Sequence, residues 1–364
     1  MYISEVSGHR SAAMAIEKAL KTLSGETEIM SINAFGYTNP IAERIINHIY
    51  MGVIQKMPKI WDFLYDNQAI IKRVEKIKHA INKANSTKLK KLFDQFNPDV
   101  IVCTQAFPCG MVADFKKAYN SKINLVAVLT DYIPHSYWIY DQINHYISPS
   151  DEVTLRLVEK GVSLDKIKTL GIPFDHKFTK EVNRKVARDK LNLELDLPTI
   201  LIMGGGHGLG PLESVIDSLD KSKSKFQEII VTGINKKLYT TLRKKISKSS
   251  KKIVLLGFVD NINELMSISD LIITKPGGIT TAEALVKKLP MIIIKPIPGQ
   301  EANNTAYLMQ KGAAVKVDNP KDINLVVEEL LNSPEKLEKM RQAAHGISKP
   351  NSSLDIARLI LCEP

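Results

Sequence analysis

Between Leu271 and Asn304 the chain reads LIITKPGGITTAEALVKKLPMIIIKPIPGQEANN, and the residue types here suit binding of a phosphorylated sugar. Leu271 to Thr274 is apolar and strand-like, Pro276-Gly277-Gly278 is a tight turn, and a helix is expected to open at Thr280-Thr281. A glycine turn feeding a helix N-terminus presents N–H groups without intrahelical partners and the positive end of the helix dipole, a setting for phosphate. Glu283, expected on the first turn, has the wrong charge for phosphate, but its carboxylate can accept hydrogen bonds from ribose hydroxyls beside one. After a second apolar strand, Met291 to Ile294, the loop Gly299-Gln300-Glu301-Ala302-Asn303-Asn304 offers amides and carboxylates that hydrogen-bond sugar hydroxyls. Together these groups describe a nucleotide-sugar pocket. The same spacing also fits an ordinary βαβ unit with Glu283 as a helix-terminal charge, and spacing alone leaves both open.

Two further glycine turns carry chemistry-bearing residues. From Thr199, TILIMGGGHGLGP is an apolar strand running into Gly204-Gly205-Gly206-His207-Gly208 and then a helix from Leu212 to Leu219. Small residues there let the backbone approach a pyrophosphate. The chain opens MYISEVSGHRSAAMAIEKAL: a short strand (Tyr2 to Val6), Ser7-Gly8-His9, then a helix with apolar residues at Ala12, Ala15, Ile16, Ala19 and Leu20. At the end of the first strand of an α/β domain, His9 faces the usual ligand crevice. As a lone histidine it also fits a turn residue with no chemistry.

The elements that must position these groups alternate strand and helix. Strands are expected over Pro98–Thr104, Leu125–Leu129, Gln227–Thr232 and Ile253–Phe258, with a further βα element from Tyr146. The loop Thr130-Asp131-Tyr132-Ile133-Pro134-His135-Ser136-Tyr137-Trp138 follows the second of them, so it faces the crevice. Residues 40–95 break the rhythm and read as helices. There Ile60, Trp61, Phe63, Leu64 and Tyr65 lie among Lys56, Lys59, Lys72 and Arg73, a mixture that suits a helix in a membrane interface and equally a helix packing its aromatics into a core. Helices over Pro334–Ala344 and Ser352–Leu361 close the chain.

At 364 residues with 44% hydrophobic and 24% charged residues, the chain has material for two cores and the make-up of a globular protein. No apolar run is long enough to span a bilayer and no leader pattern is present, and the three cysteines (Cys103, Cys109, Cys362) form neither a paired framework nor a metal-ligand spacing. The expectation is a reducing, cytoplasmic setting. The net charge of +11 favours a polyanionic partner, and it is clustered. Residues 56–91 hold ten Lys/Arg against three Asp/Glu, and residues 221–252 hold eleven against one. A solvated helix face also explains such runs. There is no D-x-D triplet and no His/Cys ligand set, so no metal is expected.

The wording K-P-G-G-x-T-x-x-E-A-L followed by P-x-P-G-Q-E-x-x-N resembles the donor half of the family 28 glycosyltransferases. These are lipid-modifying GT-B enzymes that include monogalactosyldiacylglycerol synthase, bacterial diacylglycerol glucosyltransferases and, more distantly, MurG. Residues 7–16 resemble the family's GGGH-x-x-A-A-x-A-I opening, residues 130–138 its T-D-F/Y-x-x-H-x-x-W signature, and MPKIWDFLYD its membrane and acceptor region. The first strand is short for the family, which implies a few further residues before it. The resemblance spans essentially the whole chain and implies a GT-B fold, two Rossmann-like domains facing across a cleft. The first, residues 1–170, would bind acceptor and membrane, with helix 350–364 packing back on it; residues 171–349 would bind the donor.

The resemblance makes His9, or a group it helps orient, the general base, with Asp131 orienting the base or contacting the acceptor. His135, Trp138, Trp61, Phe63, Lys72 and Arg73 become acceptor or membrane contacts. Phe258 and Val259 would read uracil with main-chain groups. Gly8, Gly205, Gly206, Gly277, Gly278, Thr280 and Thr281 would surround the nucleotide, Glu283 would hold the ribose, and Gln300, Glu301 and Asn304 would grip the sugar. The implied reaction is inverting transfer from UDP-glucose or UDP-galactose to diacylglycerol without cofactor or metal, at the inner face of the cell membrane and with anionic lipids as partners. No nucleic-acid partner is expected. A polyprenyl-linked acceptor, and a non-catalytic basic membrane- or nucleic-acid-binding protein, are the alternatives.

Overall fold

The computed structural model describes residues 1–4, 7–40 and 87–362. The helices expected over Pro40–Ile54 and Pro58–Asp66, and with them Trp61, Phe63, Lys72 and Arg73, lie outside the described residues. Two compact units account for the chain: unit 1 is Met1–His176, Ile297–Gln300 and Asn351–Pro364, and unit 2 is Lys177–Pro296 and Glu301–Pro350.

In unit 1, β1 (Val100–Cys103), β2 (Asn124–Val128), β3 (His145–Ser148) and β4 (Ile167–Thr169) form, among the described residues, a parallel sheet in the order β1-β2-β3-β4. Ahead of them come α1 (Gly8–Leu23) and the short α2 (Ala34–Thr38); α3 (Ala106–Tyr119) follows β1 and α4 (Asp151–Glu159) follows β3. Of the strand expected over Tyr2–Val6, the described residues form a single parallel bridge, from Tyr2 to Asn33. Ser4 turns to a left-handed φ of 68° and so ends the extended backbone, and the Ser7 hydroxyl donates to the carbonyls of Ile3 and Ser4. Thr104 N–H donates to Met1 O (3.1 Å), which seats the first two residues between Asn33 and β1. The chain therefore leaves this segment on one side toward Asn33 and returns to β1 on the other. That is a switch point, and ligands bind α/β sheets at the carboxyl ends of strands there.

Helix α1 buries Ala12, Ala15, Ile16, Ala19 and Leu20, the stripe its 3.6-residue period selects. These small residues let the last helix of the chain come close. Its buried Ile356, Ala357 and Ile360 share a cluster with Ile16, Ala19, Leu20, Val126, Val128 and Ile147. The C-terminal helix thus belongs to unit 1.

Unit 2 begins with α5 (Arg184–Lys190) and then alternates β5 (Thr199–Met203), α6 (Leu212–Leu219), β6 (Gln227–Val231), α7 (Lys236–Ile246), β7 (Lys252–Leu256), α8 (Ile262–Ile268), β8 (Leu271–Thr274), α9 (Gly278–Val286), β9 (Met291–Ile294), α10 (Gln300–Gln310) and β10 (Ala314–Val317). Three helices finish the chain: α11 (Ile323–Leu331), α12 (Pro334–Ile347) and α13 (Ser352–Cys362), the last being the helix of unit 1. The sheet is parallel with order β10-β9-β8-β5-β6-β7. Every residue of β5, β8 and β9 is buried, as strands covered by helices on both faces must be. The order runs away from β5 through β6 to β7 on one side and from β8 outward on the other, so the switch point lies between β5 and β8. Both glycine-rich turns, 204–210 and 276–278, leave the sheet at that point.

Candidate active site

In unit 1 the switch point holds His9. Ser7 caps α1 by accepting from Arg10 N–H, so His9 stands in the first helical turn rather than in the preceding loop. Its Nδ1 is 2.9 Å from Thr104 O and 3.1 Å from Thr130 Oγ1. Thr104 Oγ1 in turn donates to His9 O (2.8 Å). With Nδ1–H donating to the carbonyl, the lone pair sits on Nε2, the tautomer a general base requires. Burial lowers the imidazole pKa below its ordinary 6.5, while the charge of Asp131 and the bond to Thr104 act in the opposite direction. A neutral imidazole is the form that takes a proton, so a rate that depends on His9 as base falls as pH drops through its pKa. The acidic limb of the kcat/KM profile is therefore expected below pH 6.5 in wild type. A limb above that value would show that another group limits the rate.

Asp131 is placed on the loop leaving β2, and its Oδ2 accepts from Gln300 Nε2 at 3.3 Å. Gln300, expected to grip the donor sugar, groups with unit 1. Gly8 is exposed at the start of α1. Trp138, at 4% exposure, is a packing residue, as its residue type also allowed, with its ring 6.1 Å from that of half-buried His135. Phe107, three residues past Thr104, is 42% exposed and stacks on Tyr137 at 6.2 Å and 18°. Sequence reading missed Phe107, Thr104 and Thr130. Each stands at or just past a strand end, but only the strand order makes them neighbours of His9 or of the 130–138 loop.

In unit 2, α9 opens at Gly278, two residues earlier than expected, with Gly277 at the N-cap and no side-chain cap. The N–H groups of Gly278, Ile279 and Thr280 are left without intrahelical acceptors. A Cβ on Gly277 would meet nothing within 4 Å, and its φ is −65°, so the fold itself does not demand glycine there. The earlier start moves Glu283 to the second turn, half-buried and about 7.5 Å along the axis from Gly278 at a rise of about 1.5 Å per residue. That depth suits a ribose. Thr280 is half-buried, whereas Thr281 is 1% exposed and its hydroxyl has no partner among the described residues.

The residues expected as a loop from Gln300 to Asn304 form the first turn of α10, and this changes their roles. Asn304 is fully buried and its Nδ2 donates to Pro276 O (2.9 Å), which pins the glycine turn from behind. Glu301 pairs with Lys275 at 3.2 Å. Lys275 was not singled out from the sequence, although it opens the K-P-G-G motif. On the β5 side, Gly205 (φ +70°) and exposed Gly206 form the loop, and Gly208 cannot be replaced: at φ +58°, a Cβ would lie 2.1 Å from Thr232 O. Phe258, 68% exposed, and half-buried Val259 leave the end of β7. From β7 to β8 is three strand spacings, about 14 Å, which matches an extended nucleoside diphosphate laid along the carboxyl edge. Among the described residues no group of three or more His, Cys, Asp or Glu is placed to hold a metal.

Residues 9–174 match the family model of monogalactosyldiacylglycerol synthase and residues 199–359 that of the glycosyltransferase family 28 C-terminal domain. The chain is 30% identical over 359 residues to the processive diacylglycerol beta-glucosyltransferase of Bacillus mycoides strain KBAB4, covering 98% of this chain and 91% of that one. The chain belongs to the family 28 glycosyltransferases. The same identity and coverage hold for the enzyme of that name from Bacillus cereus strain ATCC 10987. Among solved structures, Acinetobacter baumannii MurG superposes with a TM-score of 0.67 at 15% identity, covering 99% of this chain and 98% of that one. Anabaena HepE in complex with UDP-glucose gives 0.53 at 16% identity over 76% and 81%. The glycosyltransferase thus has the GT-B fold, and the resemblance carried by its K-P-G-G, T-D-Y and S-G-H stretches is borne out.

Proposed function

We propose that this glycosyltransferase moves glucose from UDP-glucose to the free hydroxyl of diacylglycerol, with inversion. The observation that carries the reading is in unit 1: a base with its Nε2 lone pair available is held by Thr104 and Thr130, and the stretches that follow those two residues carry a stacked aromatic pair, exposed Phe107 and half-buried Tyr137, suited to an apolar acceptor. The choice of diacylglycerol and glucose is supported by the Bacillus relatives that carry those substrates in their names. Nε2 of His9 takes the acceptor proton as its oxygen forms the bond to the anomeric carbon. The bond from that carbon to the β-phosphate oxygen breaks, and UDP leaves with the electron pair toward the N–H groups that open α9. Glu283 accepts from the ribose hydroxyls, and Phe258 offers its backbone to the base. Helix dipole and N–H groups replace a metal, so EDTA leaves the rate unchanged.

Among the described residues no helix is long and apolar enough to cross a membrane. The enzyme works as a peripheral protein on the inner face of the cell membrane, where its Lys/Arg clusters meet anionic lipid. The test uses purified protein, vesicles with diacylglycerol in anionic or neutral phospholipid, and UDP-glucose or UDP-galactose separately. UDP release and glycolipid are followed together. A glucolipid made faster on anionic vesicles is expected; UDP bound with no glycolipid from either donor sinks the acceptor assignment. Glu283→Ala is expected to weaken UDP about tenfold or more, the scale of a hydrogen bond to a charged group. Unchanged UDP affinity in that variant removes Glu283 from the ribose.

A further inference from the structure

Lys275 stands between the last residue of β8 and the turn that opens α9, on the strand that borders the switch point. Three contacts fix it there. Gly277 N–H donates to Lys275 O (2.9 Å), so the lysine backbone is part of the turn. A Cβ built on Gly210, at the end of the loop after β5, would lie 3.9 Å from Lys275 Cδ, so the side chain runs toward the second glycine loop. The ammonium ends 3.2 Å from Glu301 Oε2, with the two side chains only 13% and 18% exposed.

Largely enclosed ion pairs add little stability over apolar groups of the same size, because the desolvation of both charges offsets their attraction. A turn of this shape needs no lysine. The site does need a cation: a helix N-terminus supplies roughly half an elementary charge, and a departing nucleoside diphosphate gains a full one on its β-phosphate. We propose that Lys275 is the cation of the donor site. It donates to the diphosphate of the bound sugar nucleotide and to the charge that develops as the sugar–phosphate bond breaks. Glu301 acts as a positioning residue that holds the ammonium at the meeting of the two loops, rather than gripping the sugar. This inference rests on the UDP-sugar reading.

The experiment is calorimetric titration of UDP and UMP into wild type, K275M, K275R and E301Q, with kcat measured alongside. K275M is expected to lose about 10- to 100-fold in UDP affinity, the scale of a charge-assisted hydrogen bond, with UMP little changed. K275R recovers most of the UDP affinity. E301Q weakens UDP, but adding it to K275M costs nothing more, because Glu301 acts through the lysine. K275M/E301L removes both charges and leaves no enclosed ion unpaired, so it serves where K275M fails to fold; it is expected to show the same selective loss of UDP. Wild-type protein that does not bind UDP overturns the donor-site reading itself. Wild type that binds UDP, with K275M or K275M/E301L binding it equally well, or losing UDP and UMP alike, overturns the assignment of Lys275 alone.

Discussion

Replacing His9 with alanine is expected to lower kcat by about 10²–10⁴-fold, the range of general-base catalysis, while UDP affinity stays at the wild-type level. The split follows from where the residue sits. His9 belongs to unit 1 and its ring is tied to Thr104 and Thr130, whereas the glycine turns, Glu283 and Phe258 belong to unit 2. A stability defect would depress both quantities, and an equal loss in both would take the catalytic role from His9. Thr130→Val, which keeps the shape and deletes the hydroxyl beside Nδ1, should reduce kcat less and move the acidic limb of the pH profile. A structural role would leave that limb in place.

The second large effect concerns stability, at a residue far from the chemistry. Glu228, on β6, is fully buried and both its carboxylate oxygens lack a hydrogen-bond partner among the described residues. Burial, with Asp220 adding to it and Lys251 opposing, pushes its pKa from 4.5 up to about 8. Below pH 4.5 the side chain is protonated in both folded and unfolded chains and contributes no pH dependence. As pH rises from there to about 8 the unfolded chain releases a proton that the folded chain keeps, so stability falls through this window and levels off above it. The shift corresponds to about 5 kcal/mol at most. Glu228→Gln is expected to abolish the slope and to be the more stable protein at pH 8, as read from urea midpoints between pH 4 and 9. Parallel wild-type and variant curves would mean that the carboxylate finds a partner when charged.

Much of this was legible in the sequence because the relevant signals are local. Apolar runs such as Leu271–Thr274 and Met291–Ile294 are strands to the residue, since a strand buried on both faces must be apolar along its length. The buried stripe of α1 is set by helical period, and the glycine turns announce themselves by residue type. Boundaries that depend on capping were displaced: α9 begins at Gly278, and Gln300–Asn304 belongs to a helix. In both places glycine, proline and amide residues favour a turn locally, while burial of Ile279 and Thr281 in α9 and of Asn304 and Thr305 in α10 accompanies a continued helix.

The sequence by itself determined that this is an α/β chain resembling the family 28 glycosyltransferases, with a histidine in its first glycine turn and a glycine turn that opens a helix before Glu283. Only the tertiary structure decided what those groups do to one another. Which strands are neighbours is a property of the whole sheet, and it alone puts Thr104 and Thr130 against His9 and Lys275 against the loop after β5. Burial is likewise collective. It takes Asn304 and Trp138 out of reach of a ligand, lowers the pKa of His9 and raises that of Glu228, because the desolvation that shifts them comes from residues remote in the chain.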